Sequence, residues 1–307
     1  MPSYSSKTIG SERRLREAVA LYRIRTQATQ TTVNRLVDEA QEFERIIERT
    51  TGEPVKGKSV LEVGPGHFLV QSSYFARNNR VTAIDTDVIP IGIDPAAYIS
   101  MFVHNGLQRT VKTVLRKAMG IDARHRRCLK ERLQVSSLPA VQMERGDVCQ
   151  TKFPGGSFDV VIGRSVMHHV PNPSVALGEI ARVLRPNGAA VANFHLYTSH
   201  NGSLDARVMS GDYDESLLWA HLRPATGESF EGNRFLNKMR LDQWRTVLFD
   251  AWPGCTIETE LSSRPGIEDS ARAMISSGEI AGYSLEELTT HTVLVYWRKP
   301  AGNESAN

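Results

Sequence analysis

Two glycines, three acids and three histidines in this sequence have the types and spacing to do chemistry together. Gly64-Pro65-Gly66 lies between an apolar, β-rich run, Ser59–Val63, and a stretch of helical character, 68–78. A glycine turn there lets a ligand approach the backbone closely, and the following helix start offers free N–H groups and a positive dipole end. Asp85 closes the next β-rich run, 81–85, about 20 residues past the glycines, the distance at which an acid accepts both ribose hydroxyls of a nucleotide. Asp87 competes for that role, and Thr86 lies between them. A third acid, Asp147 in Gly146-Asp147-Val148, follows a further run, 141–144; there a carboxylate either accepts from an adenine amino group or caps a local turn. The pyrophosphate fingerprint G-x-G-x-x-G is broken, because Leu69 stands at its last position, which disfavours a nicotinamide dinucleotide.

His168 and His169 come just after the near-continuous apolar run 158–162, and His195 ends the run 189–194. Imidazole is the usual general base near neutral pH, although packing is an equal use for any one of them; His200 is a weaker candidate. The three cysteines, Cys128, Cys149 and Cys255, are scattered without metal-ligand spacing, so neither a metal site nor a disulfide framework is expected.

These residues need elements to hold them. Helix is predicted from Ser11 to Thr51, where no Pro or Gly intervenes, and Gly52 and Pro54 end it. The alternation of β-rich and helical segments that follows predicts parallel strands joined by right-handed crossovers. A helix is expected over 104–119, with Leu107, Val111, Val114, Leu115 and Ala118 on one face, and another over 172–184, followed by a turn at Pro186-Asn187-Gly188. Strands are expected at 256–261 and 292–297, completing seven. The fold class is α/β: a doubly wound, Rossmann-like, mainly parallel seven-stranded sheet with an N-terminal helix and two helical insertions forming a cap. The organisation is a helical segment 1–54, a domain 55–299 with insertions 88–140 and 196–254, and a frayed polar tail 300–307.

The chain of 307 residues carries a net charge of +3 and 40% hydrophobic residues, an ordinary balance for a soluble protein. No apolar run is long enough for a membrane span and Met1–Gly10 lacks a signal-peptide core, so a cytoplasmic location is expected. The positive charge is concentrated between Arg109 and Arg132, which either draws an anionic partner or forms the solvated face of a helix.

Taken in order, VLEVGPG at 60–66, Asp85, GDV at 146–148, FDVVIGRSVMHHV at 158–170 and LRPNGAAVANF at 184–194 resemble the motifs of class I S-adenosylmethionine-dependent methyltransferases. The resemblance covers roughly 58–197, less the first insertion. It implies that Glu62, Gly64, Pro65 and Gly66 hold the methionine part of S-adenosylmethionine, with Glu62 facing the ammonium. It further implies that Asp85 and Thr86 take the ribose, Asp147 and the Val148 backbone the adenine, and that Arg164 and Ser165 line the methionine moiety, with S-adenosylhomocysteine as product. His67 and Phe68 depart from the pattern, since small residues are commoner there. The implied reaction is in-line methyl transfer to a small-molecule acceptor, expected at oxygen, with His168, His169 or His195 as base.

The insertions are expected to choose that acceptor, an aromatic, sugar-like or anionic one. Trp219, His221, Arg223 and Trp244 in the second could build a lid, or Leu241, Trp244 and Leu248 could simply be core. RNA methylation is a rival reading favoured by the basic stretch, but nucleic acid is disfavoured because the Asn/Asp-Pro-Pro-aromatic motif is missing after the fourth strand. A SAM-binding protein without catalysis is another rival. The N-terminal helix leaves a homodimer open.

Overall fold

A computed structural model describes residues 29–205, 215–224 and 235–301. The part of the expected N-terminal helix before Thr29, the polar tail beyond 301, and parts of the second insertion lie outside the described residues. Among those described, seven strands form one sheet: β1 (Ser59–Val63), β2 (Arg80–Asp85), β3 (Gln142–Arg145), β4 (Phe158–Arg164), β5 (Leu184–His195), β6 (Thr256–Leu261) and β7 (Thr290–Arg298), in the order β3-β2-β1-β4-β5-β7-β6. β1 pairs in parallel with β2 and β4, and β2 with β3. β7 is antiparallel to β5, because Leu196 N–H donates to the His291 carbonyl at one end while Asn187 N–H donates to Lys299 at the other. The order is that of a doubly wound nucleotide-binding sheet with one antiparallel strand added. The chain reverses its winding between β1 and β4, and ligands bind such sheets beyond the strand ends at that switch point.

The described residues fall into two compact units. The first comprises 29–164, 175–191 and 296–301. Its core follows from the sequence. β1, β2 and β4 are almost wholly apolar, as strands covered on both faces must be, and Val60, Leu61, Ala83, Val160 and Ile162 are buried. α1 (Thr29–Thr51) packs against α2 (Val70–Phe75), buries Val33, Val37, Phe43, Ile46 and Ile47, and ends where Gly52 turns left-handed at φ 77°. α2 is shorter than expected, since Leu69 takes the left-handed conformation (φ 51°) that delays its start. α6 (Pro173–Val183) opens with Pro in its first turn, as predicted.

The first insertion differs more. The single helix expected over 104–119 is two, α3 (Pro95–Asn105) and α4 (Leu107–Ala118), broken at Gly106 with φ 81°. A third, α5 (Ile121–Leu133), went unseen because only a narrow stripe, Ile121, His125, Leu129 and Leu133, is buried in an otherwise charged segment. α5 packs on α1. The insertion is also fastened to the glycine turn: the Phe68 ring stacks on His125 at 3.7 Å and 7°, and Arg116, held bidentately by Asp122 at 2.6 and 3.2 Å, lies over the Phe68 ring at 5.8 Å. The departure from small residues at Phe68 is thus an anchor for the insertion.

The turn expected at 186–188 survives only as a left-handed kink at Asn187 (φ 64°) inside the longer β5. Gly188 is required there, because a Cβ would come within 2.7 Å of the Asp159 carbonyl oxygen.

The second unit comprises Ser165–Ser174 and the described part of 192–295. α7 (Leu241–Ala251) buries Leu241, Trp244 and Leu248, with Trp244 against Phe194 at 4.1 Å. Trp219 is fully buried, in a cluster with Leu218, Ile267, Ala271, Ile280 and Leu288 that draws on α8 (Ile267–Ser276) and α9 (Leu285–Thr289). The tryptophans are therefore core, and the lid reading of Trp219 and Trp244 is corrected: interleaved aromatic and cationic residues looked like a binding surface, but the apolar halves are needed to close this unit. Among the described residues no helix is long and apolar enough to cross a membrane.

The Phe68–His125 stack gives a first test. Phe68→Ala removes a half-buried ring and its partner contact, and is expected to lower unfolding stability by about 2 kcal/mol in urea titration. A loss below about 0.5 kcal/mol would show that the insertion is held by other contacts.

Candidate active site

The parallel register sets the strand ends of the first unit side by side. Val63 pairs with Ile84 and Gly163, Ile84 with Glu144, and Asp85 with Arg145. With neighbouring strands about 4.8 Å apart, the residues just past these positions line one edge: Gly64-Pro65-Gly66 after β1, Asp85 and Thr86 at β2, Gly146-Asp147-Val148 after β3, and Arg164 at β4. The sequence-predicted cofactor residues other than Ser165 are brought together on this edge.

Gly64 and Gly66 both adopt positive φ, 67° and 66°, a conformation that a side chain would strain. No atom lies within 4 Å of where a Gly66 Cβ would be, so backbone conformation rather than crowding demands glycine there. Leu69, where a dinucleotide fingerprint has its third glycine, keeps the left-handed backbone at its own cost. Glu62 is buried at the end of β1 and accepts from the Ser72 hydroxyl of α2. Burial pushes its carboxyl up to about 7, against the lowering effect of the Ser72 bonds and of Arg164. A carboxyl is expensive to hide here unless something cationic offsets it.

The other acids are better served. The Asp85 carboxylate accepts from Asp87 N–H at 2.9 Å. The rival Asp87 is tied instead to Arg109 of α4. Asp147 accepts from Cys149 N–H at 2.8 Å and so caps its own turn, while Gly146 makes room for Ile84, whose Cδ1 would lie 2.7 Å from an added Cβ. The Thr86 carbonyl accepts from Arg145 at 3.2 Å. Arg164 pairs with Glu39 of α1.

In the second unit, Ser165 has a left-handed backbone (φ 51°) and donates to the Asn193 carbonyl at 2.8 Å and its side-chain oxygen at 3.1 Å. His168 and His169 sit in a 3-10 turn, Met167–His169. Asn237 clamps that turn: its amide nitrogen donates to the Met167 and Val170 carbonyls at 3.0 and 3.1 Å, and its backbone N–H to the His168 carbonyl at 3.0 Å. The His169 Nδ1 faces the Phe235 carbonyl at 2.8 Å, which makes that nitrogen the donor and leaves Nε2 to accept.

A row of imidazoles runs on from there. His168 lies 5.7 Å from His195, His195 4.8 Å from His291 of β7, and His291 5.9 Å from His200. Burial, followed by the neighbouring histidine, holds His200 down at about 4, and burial also lowers His291. Sequence reasoning found His168, His169 and His195 but missed His291 and Asn237, which arrive from segments about 40 to 120 residues away and carry no local motif. Among the described residues no group of histidines, cysteines and acids has the arrangement to hold a metal ion.

Residues 102–192 match a family model described as a methyltransferase domain. That stretch is similar to a methyltransferase domain and makes up less than a third of the chain. The matched stretch includes Asp147, Val148, Arg164, Ser165, His168 and His169 but begins after the glycine turn. A fatty-acid O-methyltransferase of Mycolicibacterium smegmatis is 31% identical over 144 residues, covering 47% of this chain and 38% of its own. An uncharacterized chloroplastic methyltransferase of Arabidopsis thaliana is 43% identical over 53 residues, covering 17% of this chain and 15% of its own. An uncharacterized 37.1 kDa protein in a transposon of Streptomyces fradiae is 37% identical over 75 residues, 24% of this chain and 22% of its own. The chain thus spans less than half the length of the curated relatives it matches. Among solved structures, phosphoethanolamine N-methyltransferase 2 of Haemonchus contortus, in complex with S-adenosyl-L-methionine, is similar with TM-score 0.46 and 15% identity over 96% of this chain and 61% of that one.

Glu62 supplies the test of this edge. Its folded-state value lies above the ordinary 4.5, so the unfolded chain loses its proton first as pH rises. Stability is then fully present below about 4.5 and falls until about 7, by on the order of 3 kcal/mol. Glu62→Gln, which cannot ionise, is expected to match the wild type in urea unfolding at pH 4.5 and to exceed it at pH 8. An identical pH dependence in both proteins would show that Glu62 is ionised when folded.

Proposed function

We propose that the methyltransferase domain transfers the methyl group of S-adenosylmethionine to an oxygen of a small-molecule acceptor. The observation that carries the reading is the buried Glu62 carboxyl beside two glycines of positive φ at the switch point. A buried acid next to an open backbone turn fits a ligand with a cationic ammonium, and the amino-acid end of S-adenosylmethionine has one. Gly64, Pro65 and Gly66 would receive that end with Arg164 and Ser165 nearby in the motif order, Asp85 and Thr86 the ribose, and Asp147 with the Val148 backbone the adenine. Bound there, the cofactor supplies a methyl group already activated on a sulfonium.

The protein's own tasks are to align the acceptor, exclude water and remove a proton where the acceptor is a hydroxyl. His195 suits the last task best. It is half-buried, whereas His168 is almost fully covered and His169 is oriented by Phe235. Burial holds His200 and His291 of the same row below the ordinary imidazole value, so they put no positive charge beside His195. Transfer to oxygen is also supported by the name of the M. smegmatis relative. The acceptor class that accords with the apolar and basic first insertion is an anionic or amphipathic one.

Calorimetric titration with S-adenosylmethionine, S-adenosylhomocysteine and NADH tests the cofactor, and binding of NADH alone would overturn the reading. Asp85→Ala is expected to weaken S-adenosylmethionine binding by about tenfold or more, the worth of a charge-assisted hydrogen-bond pair, with unchanged circular dichroism. Unaltered affinity would move the ribose away from β2. For the base, His195→Ala is expected to lower kcat for a hydroxyl acceptor by about 10²-fold or more, and to leave a carboxylate acceptor, which has no proton to lose, nearly unchanged. Equal loss on both acceptors would make His195 a packing residue.

A further inference from the structure

α4 is mounted inside out. Its apolar residues Leu107, Val111, Val114 and Leu115 recur at helical spacing, and a surface helix ordinarily turns such a stripe to the core. Here the stripe faces solvent, and the polar side is packed inward: Thr113 and Arg116 are buried, Arg116 pairs with Asp122, and Arg109 pairs with Asp87. Leu107 is 63% exposed, and the neighbouring segments add Ile93 at 91% and Val103 at 68%. Most of the large apolar side chains exposed among the described residues lie in this one stretch, between Ile91 and Met119. Scattered exposed apolar residues need no explanation, but a contiguous patch of this kind marks a contact surface.

The charge around the patch says what it meets. Between Pro95 and Ile121 there is no acidic residue. The three carboxylates at its borders are engaged: Asp87 by Arg109, Asp122 by Arg116, and Asp94 as the cap of α3, accepting from Ala96 N–H at 3.0 Å. The cations are not balanced in the same way. Lys112 is exposed; Lys117 donates to the Pro90 and Gly92 carbonyls at 2.6 and 2.8 Å and lies over the Tyr98 ring, and Arg126 donates to the Ile91 carbonyl at 3.3 Å. Carbonyls position a cation without neutralising it. Arg127 on α5, also exposed, adds to the surplus.

From this pairing of an outward apolar stripe with surplus positive charge, we infer that α3 and α4 form a peripheral membrane-binding surface that lies on bilayers containing anionic lipid. An interfacial helix of this type buries its apolar side at the level of the headgroups while its cations meet the lipid phosphates. A second copy of this chain fits less well, because a symmetric contact would bring two sets of like charges together. The surface binds without spanning, in keeping with the absence of a membrane-crossing helix among the described residues. It would place the enzyme where an amphipathic acceptor is concentrated, but it stands on the patch alone and does not depend on the reaction.

The test is co-sedimentation of the full chain with vesicles of phosphatidylcholine alone and of phosphatidylcholine with an equal part of phosphatidylglycerol. Binding to the mixed vesicles is expected to exceed binding to the neutral ones by about tenfold and to weaken with salt. Val111→Ser with Leu115→Ser should abolish it, and Lys112→Glu should reduce it about tenfold; both variants alter exposed side chains and should keep the wild-type circular dichroism. Equal binding to both vesicle types, no binding to either, or binding untouched by the serine variant would each overturn the inference. So would a dimer in sedimentation velocity that the serine variant disperses while the wild type ignores vesicles, since the patch would then be a contact between copies.

Discussion

Parallel pairing of β1 with both β2 and β4 is the constraint on which the site depends. Parallel neighbours cannot be joined by tight hairpins, so each connection must cross over the sheet and return to the same starting end. That leaves the finishing ends of β1, β2, β3 and β4 at one edge, whatever the loops contain. Residues 20 to 100 positions apart in the chain, Gly64, Asp85, Gly146 and Arg164, become neighbours through register alone. The energy for this arrangement comes from apolar burial on both faces of the strands, and the polar residues ride on it. Glu62 shows the cost: it lies in a strand that is otherwise apolar, and burial raises its carboxyl to about 7. Strain and unfavourable burial of this sort persist where the surrounding structure over-determines them.

The parts of the fold legible in the sequence were those with a strong period or a fixed punctuation. All seven strands were expected, the winding unit from Ser59 to Asp85 among them, because buried parallel strands read as short apolar runs between turn residues. Pro173 and Gly52 marked their helix ends for reasons that are local to the backbone. The misses have equally physical causes. α5 hid because four buried residues in a charged helix give almost no pattern. Helix α4 was found with its apolar face identified, but sequence cannot say which way a face points when the opposite side is held by ion pairs. The Arg109–Asp87 and Arg116–Asp122 pairs decide that orientation, and neither is visible until the chain is folded. The tryptophans of the second insertion were legible only as a choice between two uses. Lid and core are both open to Trp219 and Trp244 from the sequence, and the structure buries both, since a unit with few long elements needs their large side chains to exclude water.

The candidate site divides along the same line. Positions whose role depends on backbone geometry were readable: positive φ at Gly64 and Gly66 follows from glycine between a strand and a helix. Asp85 and Asp87 could not be separated by spacing, and the structure distinguishes them only by engagement, with Asp87 committed to Arg109 and Asp85 held by a backbone N–H. The histidines were readable as a set but not in their order. Their environment is made by residues distant in sequence, His291 from β7, Phe235 and Asn237 from the second insertion, and no window around Gly163–Val170 contains them.

The imidazole row also limits what its members can do. Four rings in sequence, each within about 6 Å of the next, cannot all carry charge, since each added proton raises the cost of the next through an interior of low dielectric. Burial, with His291 beside it, holds His200 neutral down to about pH 4, and burial also lowers His291. A neutral imidazole such as His200 offers an acceptor nitrogen without positive charge. The same arrangement would be poorly suited to binding an anion. His200 and His291, lowered in this way, stay uncharged near neutral pH and so give an anion no positive charge to bind.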